Sequence, residues 1–208
     1  QRLDKILTAE NIEYFGFLKA SLDKTVIDQS TVDNCKASLE ALKNNRDVRA
    51  LLQLDKTAED THINVFNENL LTSDSPGLPF GFKGVIDNIV IDKEAKVIFI
   101  NDLKTTGKAI QDFPESVEYY RYWIQAVIYS LLVTDNLLVN LPNASEWSIQ
   151  VTFIVIDKYN QVYPYQVSSE TLDKWGDDFN ELVQKLKWHY ENRRYDLPYE
   201  LASGNLKL

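Results

Sequence analysis

The spacing of hydrophobic residues changes several times along this 208-residue chain, and each change marks a predicted element. Over residues 3–53 apolar positions recur at three- and four-residue steps, which predicts helices. Thr8 is placed to cap the first helix, and a second helical segment is predicted from Ser30 to Leu52. Residues 62–66 are a strand-like run, and the composition of residues 73–77 predicts a loop.

Apolar runs rich in branched residues predict a β-hairpin in the middle of the chain. Residues 82–91 and 96–104 contain many Val, Ile and Phe side chains, and a short segment over residues 92–95 separates them. A helix over 115–133, strands over 148–156 and 162–167, and a long helix capped by Ser169 follow. This order of elements predicts a single α/β or α+β domain.

The hairpin also has a predicted register. If its turn centres between Glu94 and Ala95, four pairs share one face: Val85–Lys104, Asp87–Asp102, Ile89–Ile100 and Ile91–Ile98. The other face then carries Ile86, Val90, Val97, Phe99 and Leu103. Since both faces are largely apolar, we expect the hairpin to be central and covered on both sides.

Asp87 opposite Asp102 is an unfavourable pair for an ordinary sheet. Directly opposed side chains lie about 4.5–5.5 Å apart, and like charges at that distance are destabilising. A divalent cation between the carboxylates turns the repulsion into ligation, and Mg²⁺ prefers carboxylate and carbonyl oxygens with several retained waters. Asp87, Asp102 and the peptide carbonyl of Leu103 are therefore the predicted metal ligands.

Further polar residues complete a phosphate-cleaving site. Lys104 follows Asp102 by two positions and shares its face, so its ammonium can orient a metal-bound water or hold the scissile phosphate. Thr105 and Thr106 can add hydroxyl contacts to a phosphate, with Lys108 close by. Gln125 and Tyr129 are four residues apart and share one face of the predicted helix.

Composition and charge narrow the possible classes of protein. The formal net charge of −9 argues against a general nucleic-acid coat, without excluding a nuclease whose carboxylates hold a metal. The single cysteine, Cys35, excludes an internal disulfide and a four-cysteine metal site, which fits a reducing, intracellular setting.

We expect a soluble protein, since apolar runs stay below the roughly 18–20 residues that span a bilayer. Residues 1–4 are unlike a signal peptide. With two histidines and neither a Gly-x-Ser-x-Gly elbow nor a Walker loop, a serine or cysteine hydrolase and an ATPase are disfavoured.

Three separated motifs resemble one known family. Residues 84–87 read Gly-Val-Ile-Asp, residues 98–106 form a strand ending in Asp-Leu-Lys-Thr-Thr, and residues 119–129 contain Gln-x-x-x-Tyr. In this order the motifs are similar to those of the PD-(D/E)XK nuclease superfamily, and within it to the RecB/RecE-like exonucleases, including phage-type recombination exonucleases. The resemblance implies an α/β restriction-endonuclease-like core with a central mixed sheet flanked by helices. We expect one nuclease domain over residues 1–208, with a helical lead-in over 1–55 and a catalytic core over 56–208.

The resemblance also implies roles for individual residues. Asp87 and Asp102 would bind Mg²⁺ or Mn²⁺, Lys104 would be the catalytic lysine, and Gln125 and Tyr129 would orient the site and the DNA. One more ligand on an upstream element is expected, with Glu59 and His62 as alternatives. The iron–sulfur subclass is excluded because it needs four cysteines.

The function implied is a metal-dependent DNA exonuclease that processes ends for recombination or repair. DNA and a recombination or strand-annealing protein would be its partners, in the cytoplasm of a bacterium or of a phage host. Two alternatives stay open. One is a structure- or sequence-specific endonuclease of the same fold, and the other is a DNA- or protein-binding module that has lost catalysis.

Overall fold

The structure is a computed structural model that describes residues 8–74 and 78–204. It contains two compact units, residues 1–40 and residues 41–208. The boundary between the units lies at residue 40, whereas the sequence pattern placed the end of the helical lead-in at residue 55. Residues 75–77 of the predicted loop and residues 3–7 of the predicted helical stretch lie outside the described residues.

Helices open the chain as predicted. Helix α1 (Ala9–Ala20) is capped by Thr8, whose side chain accepts a hydrogen bond from the Asn11 amide at 3.4 Å. Helix α2 (Gln29–Asn44) begins one residue earlier than expected. The predicted continuous helix to residue 52 is wrong, because Asn45 interrupts it: its side chain caps a separate helix α3 (Arg46–Leu51) by accepting from two backbone amides at 3.1 Å.

A five-stranded mixed sheet forms the centre of the second unit. Its strands, in spatial order, are β1 (Ile63–Ser73), β2 (Phe82–Asp92), β3 (Val97–Thr106), β4 (Ser148–Asp157) and β5 (Val162–Gln166). Strands β3 and β4 run parallel, and the other neighbouring pairs are antiparallel. The predicted α/β class, the mixed sheet and the central position of the β2–β3 hairpin are confirmed.

The connection from β3 to the parallel strand β4 contains two helices where one was predicted. Helix α4 (Phe113–Tyr119) ends before Arg121, which adopts the left-handed conformation with φ 54°, and helix α5 (Tyr122–Asn136) begins directly after it. Helix α6 (Ser169–Asn192) is capped by Ser168, one residue before the predicted cap, and a short helix α7 (Tyr199–Ala202) follows. The break at Arg121 separates two exposed tyrosines from the half-buried start of α5.

Helices cover both faces of the sheet. On one face, α5 buries Ala126, Tyr129, Leu132 and Val133 in the same cluster as Ile89, Ile91, Ile98 and Ile100, and Leu172 and Trp175 of α6 pack against it. Asn101 points to the other face, where its amide donates to the carbonyl oxygen of Leu51 in α3 at 3.1 Å. The stretch Tyr122–Asn140 is by length and composition apolar enough to cross a membrane. Five of its side chains are buried in the domain, so it is the core helix of this fold.

Candidate active site

The β2–β3 hairpin opens where the predicted carboxylates lie. The predicted register is confirmed from the turn as far as the pair Asn88–Asn101. Beyond that pair the strands separate: β2 continues along β1, and β3 continues along β4 as far as Thr106. Asp87 and Asp102 are therefore not a ladder pair, and neither are Val85 and Lys104. The carboxylate of Asp87 instead accepts a hydrogen bond from the backbone amide of Leu103 at 2.7 Å.

The side-chain alternation of β2 shifts by one position at the same place. Ile86 was expected on the face opposite Ile89, but both belong to the cluster that packs on α5. Gly84 lies on this face too, because a Cβ atom there would come within 2.8 Å of Tyr129. The neighbouring strand explains the shift: Glu68 of β1 has φ 48°, and the ladder between β1 and β2 is interrupted at the level of Glu68 and Asp87. The predicted facing of Ile86 is wrong for this reason.

Asp102 is the buried charge of the site. Only 2% of the residue is exposed, and its carboxylate forms an ion pair with the ammonium of Lys104. Burial raises the pKa of Asp102; Lys104 opposes this rise, and the negative charge of Asp87 adds to it. The two aspartates are thus close enough to repel each other electrostatically, although they do not pair in the sheet.

A chain of hydrogen bonds fixes the position of Lys104. Its ammonium donates to Gln125 Oε1 at 2.8 Å, Gln125 Nε2 donates to the Tyr129 hydroxyl at 2.7 Å, and that hydroxyl donates to the Val85 carbonyl at 2.7 Å. Because the Val85 carbonyl only accepts, it sets the direction of every bond in the chain and so the orientation of the Gln125 amide. Burial is the main cause that raises the pKa of Tyr129, so the phenol keeps the proton it donates. The structure therefore brings Lys104, Gln125 and Tyr129 together.

The predicted phosphate contacts lie beside this chain. Thr105, Thr106 and Lys108 line a cavity of about 220 Å³ together with Tyr120 and Tyr122. Lys108 is 3.5 Å from Glu115, so part of its charge is already compensated. The Lys104 ammonium lies 4.8 Å from the centre of the Tyr122 ring, which adds a cation–π contact at the inner edge of the cavity.

Neither predicted upstream ligand reaches the carboxylates. His62 lies at the turn end of the hairpin, where its carbonyl accepts from Lys93 at 3.0 Å and its ring is 3.9 Å from Glu94. The next residue, Ile63, pairs with Asp92, five positions along β2 from Asp87 and so about 17 Å away at the usual rise of a strand. Glu59 belongs to the turn that precedes this strand. The prediction of Glu59 or His62 beside Asp87 and Asp102 is corrected, because β1 starts at the wrong end of the hairpin.

Glu68 is the acidic residue that the sequence reasoning missed. The flanking pairs Asn67–Asn88 and Asn69–Ile86 place it level with Asp87 on the neighbouring strand, and its charge acts on Tyr129. The prediction ended the first strand at residue 66, which left Glu68 outside any element. Extending that strand and pairing it with β2 would have identified Glu68 from the register.

The donor set fits a hard divalent cation. Mg²⁺ commonly binds one or two carboxylates and keeps several waters, so Asp87, Asp102 and the Leu103 carbonyl are a sufficient set of ligands. Over residues 8–74 and 78–204 there is no group of three or more His, Cys, Asp or Glu residues placed to hold a metal, which leaves the aspartate pair as the acidic part of the site. A cation there would also lower the cost of burying the negative charge of Asp102.

A mixed sheet with a buried carboxylate, a positioned lysine and a Gln-x-x-x-Tyr helix defines a nuclease-type site. The sequence profile of the PD-(D/E)XK nuclease superfamily matches residues 17–197, and the chain belongs to this superfamily. Its members are nucleases that hydrolyse phosphodiester bonds and generally use divalent metals.

One solved structure has a similar fold. A candidate exonuclease from Eubacterium rectale superimposes with a TM-score of 0.55 at 13% identity over 87% of this chain, which spans 62% of the length of that protein. A second structure, SSO0001, aligns over 84% of this chain and 86% of its own with a TM-score of 0.33 and 11% identity, too low to support an argument. No curated protein matches the sequence.

Proposed function

We propose that this protein is a Mg²⁺- or Mn²⁺-dependent DNA exonuclease that processes DNA ends for recombination or repair. The observation that carries the proposal is the position of the Lys104 ammonium, paired with the buried carboxylate of Asp102 and held from behind by Gln125. Fixing a flexible lysine side chain in one position costs conformational entropy. Such a fixed position is expected where the charge has a function. The arrangement supplies the fixed positive charge that hydrolysis of a phosphodiester needs.

Each residue of the site has a part in this chemistry. Asp87, Asp102 and the Leu103 carbonyl would hold the cation, which when bound activates a water and stabilises negative charge on the phosphate. Lys104 contacts a phosphate oxygen and offsets the charge that develops there. Gln125 and Tyr129 position Lys104, and Thr105, Thr106 and Lys108 bind phosphates in the adjoining cavity. Glu68, level with Asp87 on the neighbouring strand, adds negative charge to this end of the sheet and disfavours approach of a phosphate without a cation.

Exonuclease activity is favoured over endonuclease activity by the motifs, which resemble RecB/RecE-like exonucleases, and by the likeness in fold to the Eubacterium rectale protein. The same resemblance supports a cytoplasmic setting in a bacterium or phage host and a strand-annealing protein as partner. A binding module without catalysis is disfavoured, because such a protein has no need to hold Lys104 against a buried aspartate.

The proposal is tested with end-labelled linear single- and double-stranded DNA, with Mg²⁺, with Mn²⁺ and with a chelator. We expect a ladder of shortened products that requires the metal, and no cleavage of covalently closed circular DNA. Cleavage of the circle would identify an endonuclease. Metal-independent cleavage, or no cleavage of any DNA, would overturn the proposal.

A further inference from the structure

Two tyrosines project from the break between α4 and α5, beside the candidate active site. Tyr119 is 79% exposed and Tyr120 is 61% exposed. Helix α4 packs through the buried side chains of Phe113 and Val117, so its own packing does not use these two rings. The left-handed conformation of Arg121 ends the helical path directly after them.

These rings continue an aromatic row that begins in the core. Phe113 stacks on Tyr122 at 6.0 Å between ring centres, and Tyr122 stacks on Tyr120 at 5.5 Å. Tyr119 completes the row edge-on to Tyr120 at 4.9 Å. The Lys104 ammonium lies over the second ring of this row, 4.8 Å from the centre of Tyr122. The row therefore leads from the catalytic ammonium to the surface.

Cations flank the exposed end of the row. Tyr120 lines both the cavity of about 220 Å³ that holds Lys108 and a second cavity of about 610 Å³ that holds Lys83 and Arg121. In a chain of net charge −9, three cationic side chains therefore lie around these rings, although Lys108 is 3.5 Å from Glu115 and is partly compensated. Aromatic rings with a surrounding cationic groove are the features by which proteins hold single-stranded nucleic acid.

We propose that Tyr119 and Tyr120 form a stacking platform for an unpaired base next to the scissile phosphate, so that the substrate is a single strand or a frayed DNA end. This inference rests on the proposed nuclease function. A base inside a duplex has both faces covered by its neighbours, whereas an unpaired or terminal base can stack on an aromatic side chain whatever its sequence. Tyr119 and Tyr120 would fix the nucleotide, and Lys104 would lie one ring away at its phosphate.

The test compares the paired variant Tyr119→Ala/Tyr120→Ala with Tyr119→Phe/Tyr120→Phe, which keeps both rings. The substrate is a short end-labelled DNA, offered with Mg²⁺ as a single strand or as a blunt duplex of the same sequence. We expect the alanine pair to raise KM for the single strand by about tenfold, within the usual effect of losing a stacked base, with a smaller change for the duplex. The phenylalanine pair should behave like the parent.

Tyr195→Ala is the matched control, because it also removes an exposed tyrosine ring, 64% exposed. Tyr195 follows α6 and stacks on His189, outside the aromatic row, so we expect no change in KM. If the paired variant is poorly folded, the single variant Tyr119→Ala, which removes the most exposed ring of the row, replaces it. We expect this single variant also to raise KM for the single strand. Stacking is measured without cleavage in the Lys104→Ala background, with a 2-aminopurine base at each end of the single strand. Stacking on a tyrosine quenches the 2-aminopurine fluorescence, and we expect the alanine pair to remove this quenching.

The outcomes separate the two proposals. If the parent cleaves neither DNA with Mg²⁺ or Mn²⁺, the nuclease function is wrong. If the parent cleaves and the alanine variants keep its KM and its 2-aminopurine quenching, the stacking platform is wrong and the nuclease function stands.

Discussion

The two ends of the β2–β3 hairpin have opposite properties. Towards the turn, Ile89 pairs with Ile100 and Ile91 with Ile98, and all four side chains are buried in the core. Beyond Asn88–Asn101 the strands separate, and the side chains that follow are Asp87, Asp102 and Lys104. A closed ladder uses its backbone groups internally, whereas the open end leaves the Leu103 amide free to bind a carboxylate.

Three side-chain amides, of which Asn88 and Asn101 are buried, mark the boundary between the two ends. Asn101 donates to Asn88 at 2.8 Å, and Asn88 donates to Asn67 at 2.9 Å, so three neighbouring strands are joined by side chains at this level. Buried polar groups of this kind are costly unless paired, which specifies one register for the three strands. The hairpin is thus scaffold on one side of the amides and candidate site on the other. Changes on the two sides should have separable effects.

The largest expected effect is on catalysis at the open end. Lys104→Ala removes the ammonium at the phosphate, and we expect kcat for linear DNA to fall by at least about a hundredfold. Lys93→Ala, in the turn at the closed end, should leave kcat unchanged. Equal cleavage rates for the parent and Lys104→Ala in a Mg²⁺-dependent assay would contradict the assigned role of Lys104.

At the closed end the largest effect is on stability. Ile100 is fully buried, and Ile100→Ala should lower the free energy of unfolding by about 2–5 kcal/mol, through lost burial and the cavity left behind. Urea denaturation monitored by circular dichroism measures this change. A loss below about 1 kcal/mol would mean that the core at the turn end is not packed as described.

A smaller effect is expected from the hydrogen-bond chain. Tyr129→Phe leaves Gln125 Nε2 and the Val85 carbonyl without their partner, a cost of about 1–3 kcal/mol, and frees the Gln125 amide to rotate. We expect kcat to fall by about tenfold for this reason. Tyr165→Phe removes a similar bond, to the Ile110 carbonyl at 2.7 Å, and serves as the control that should lose stability but not kcat. Equal kcat values for the two variants would show that Tyr129 does not position Lys104.

The smallest expected effect is the dependence of stability on pH in the absence of metal. The folded pKa of Asp102 lies above its ordinary value of 3.8, so the folded protein holds this proton more tightly than the unfolded chain. The resulting stabilisation is full below 3.8 and is lost as the pH rises through the raised pKa. Asp102→Asn cannot lose it, so the variant should gain stability relative to the parent over this range, by about 1.4 kcal/mol per unit of pKa elevation.

Thermal unfolding of the parent and Asp102→Asn, from acid to neutral pH with a chelator, measures that difference. A gap that stays constant with pH would show that the pKa of Asp102 is not raised. Adding Mg²⁺ at neutral pH should stabilise the parent and not the variant, because the cation binds the folded carboxylate.

Local pattern was enough to find most of the elements and the motif residues. Val and Ile spacing identified the hairpin and its register near the turn, and a four-residue step put Gln125 and Tyr129 on one helix face. Both rules describe neighbours within one element or across one turn, where geometry is fixed by the backbone. The break at Arg121 was missed because a left-handed residue other than glycine has no strong sequence signal.

The sequence therefore predicted the class of protein, which the family match confirms, and singled out the aspartates, the lysine and the Gln-x-x-x-Tyr pair as the candidate site. The assembled fold established that β2 and β3 separate, that Asp87 binds the Leu103 amide, that Glu68 lies level with Asp87, and that Glu59 and His62 lie far away. The reason is that each strand has two neighbours. The point at which β2 separates from β3 depends on the pairing of β2 with β1 and of β3 with β4. The hydrophobic periodicity of the hairpin contains no information about those two pairings.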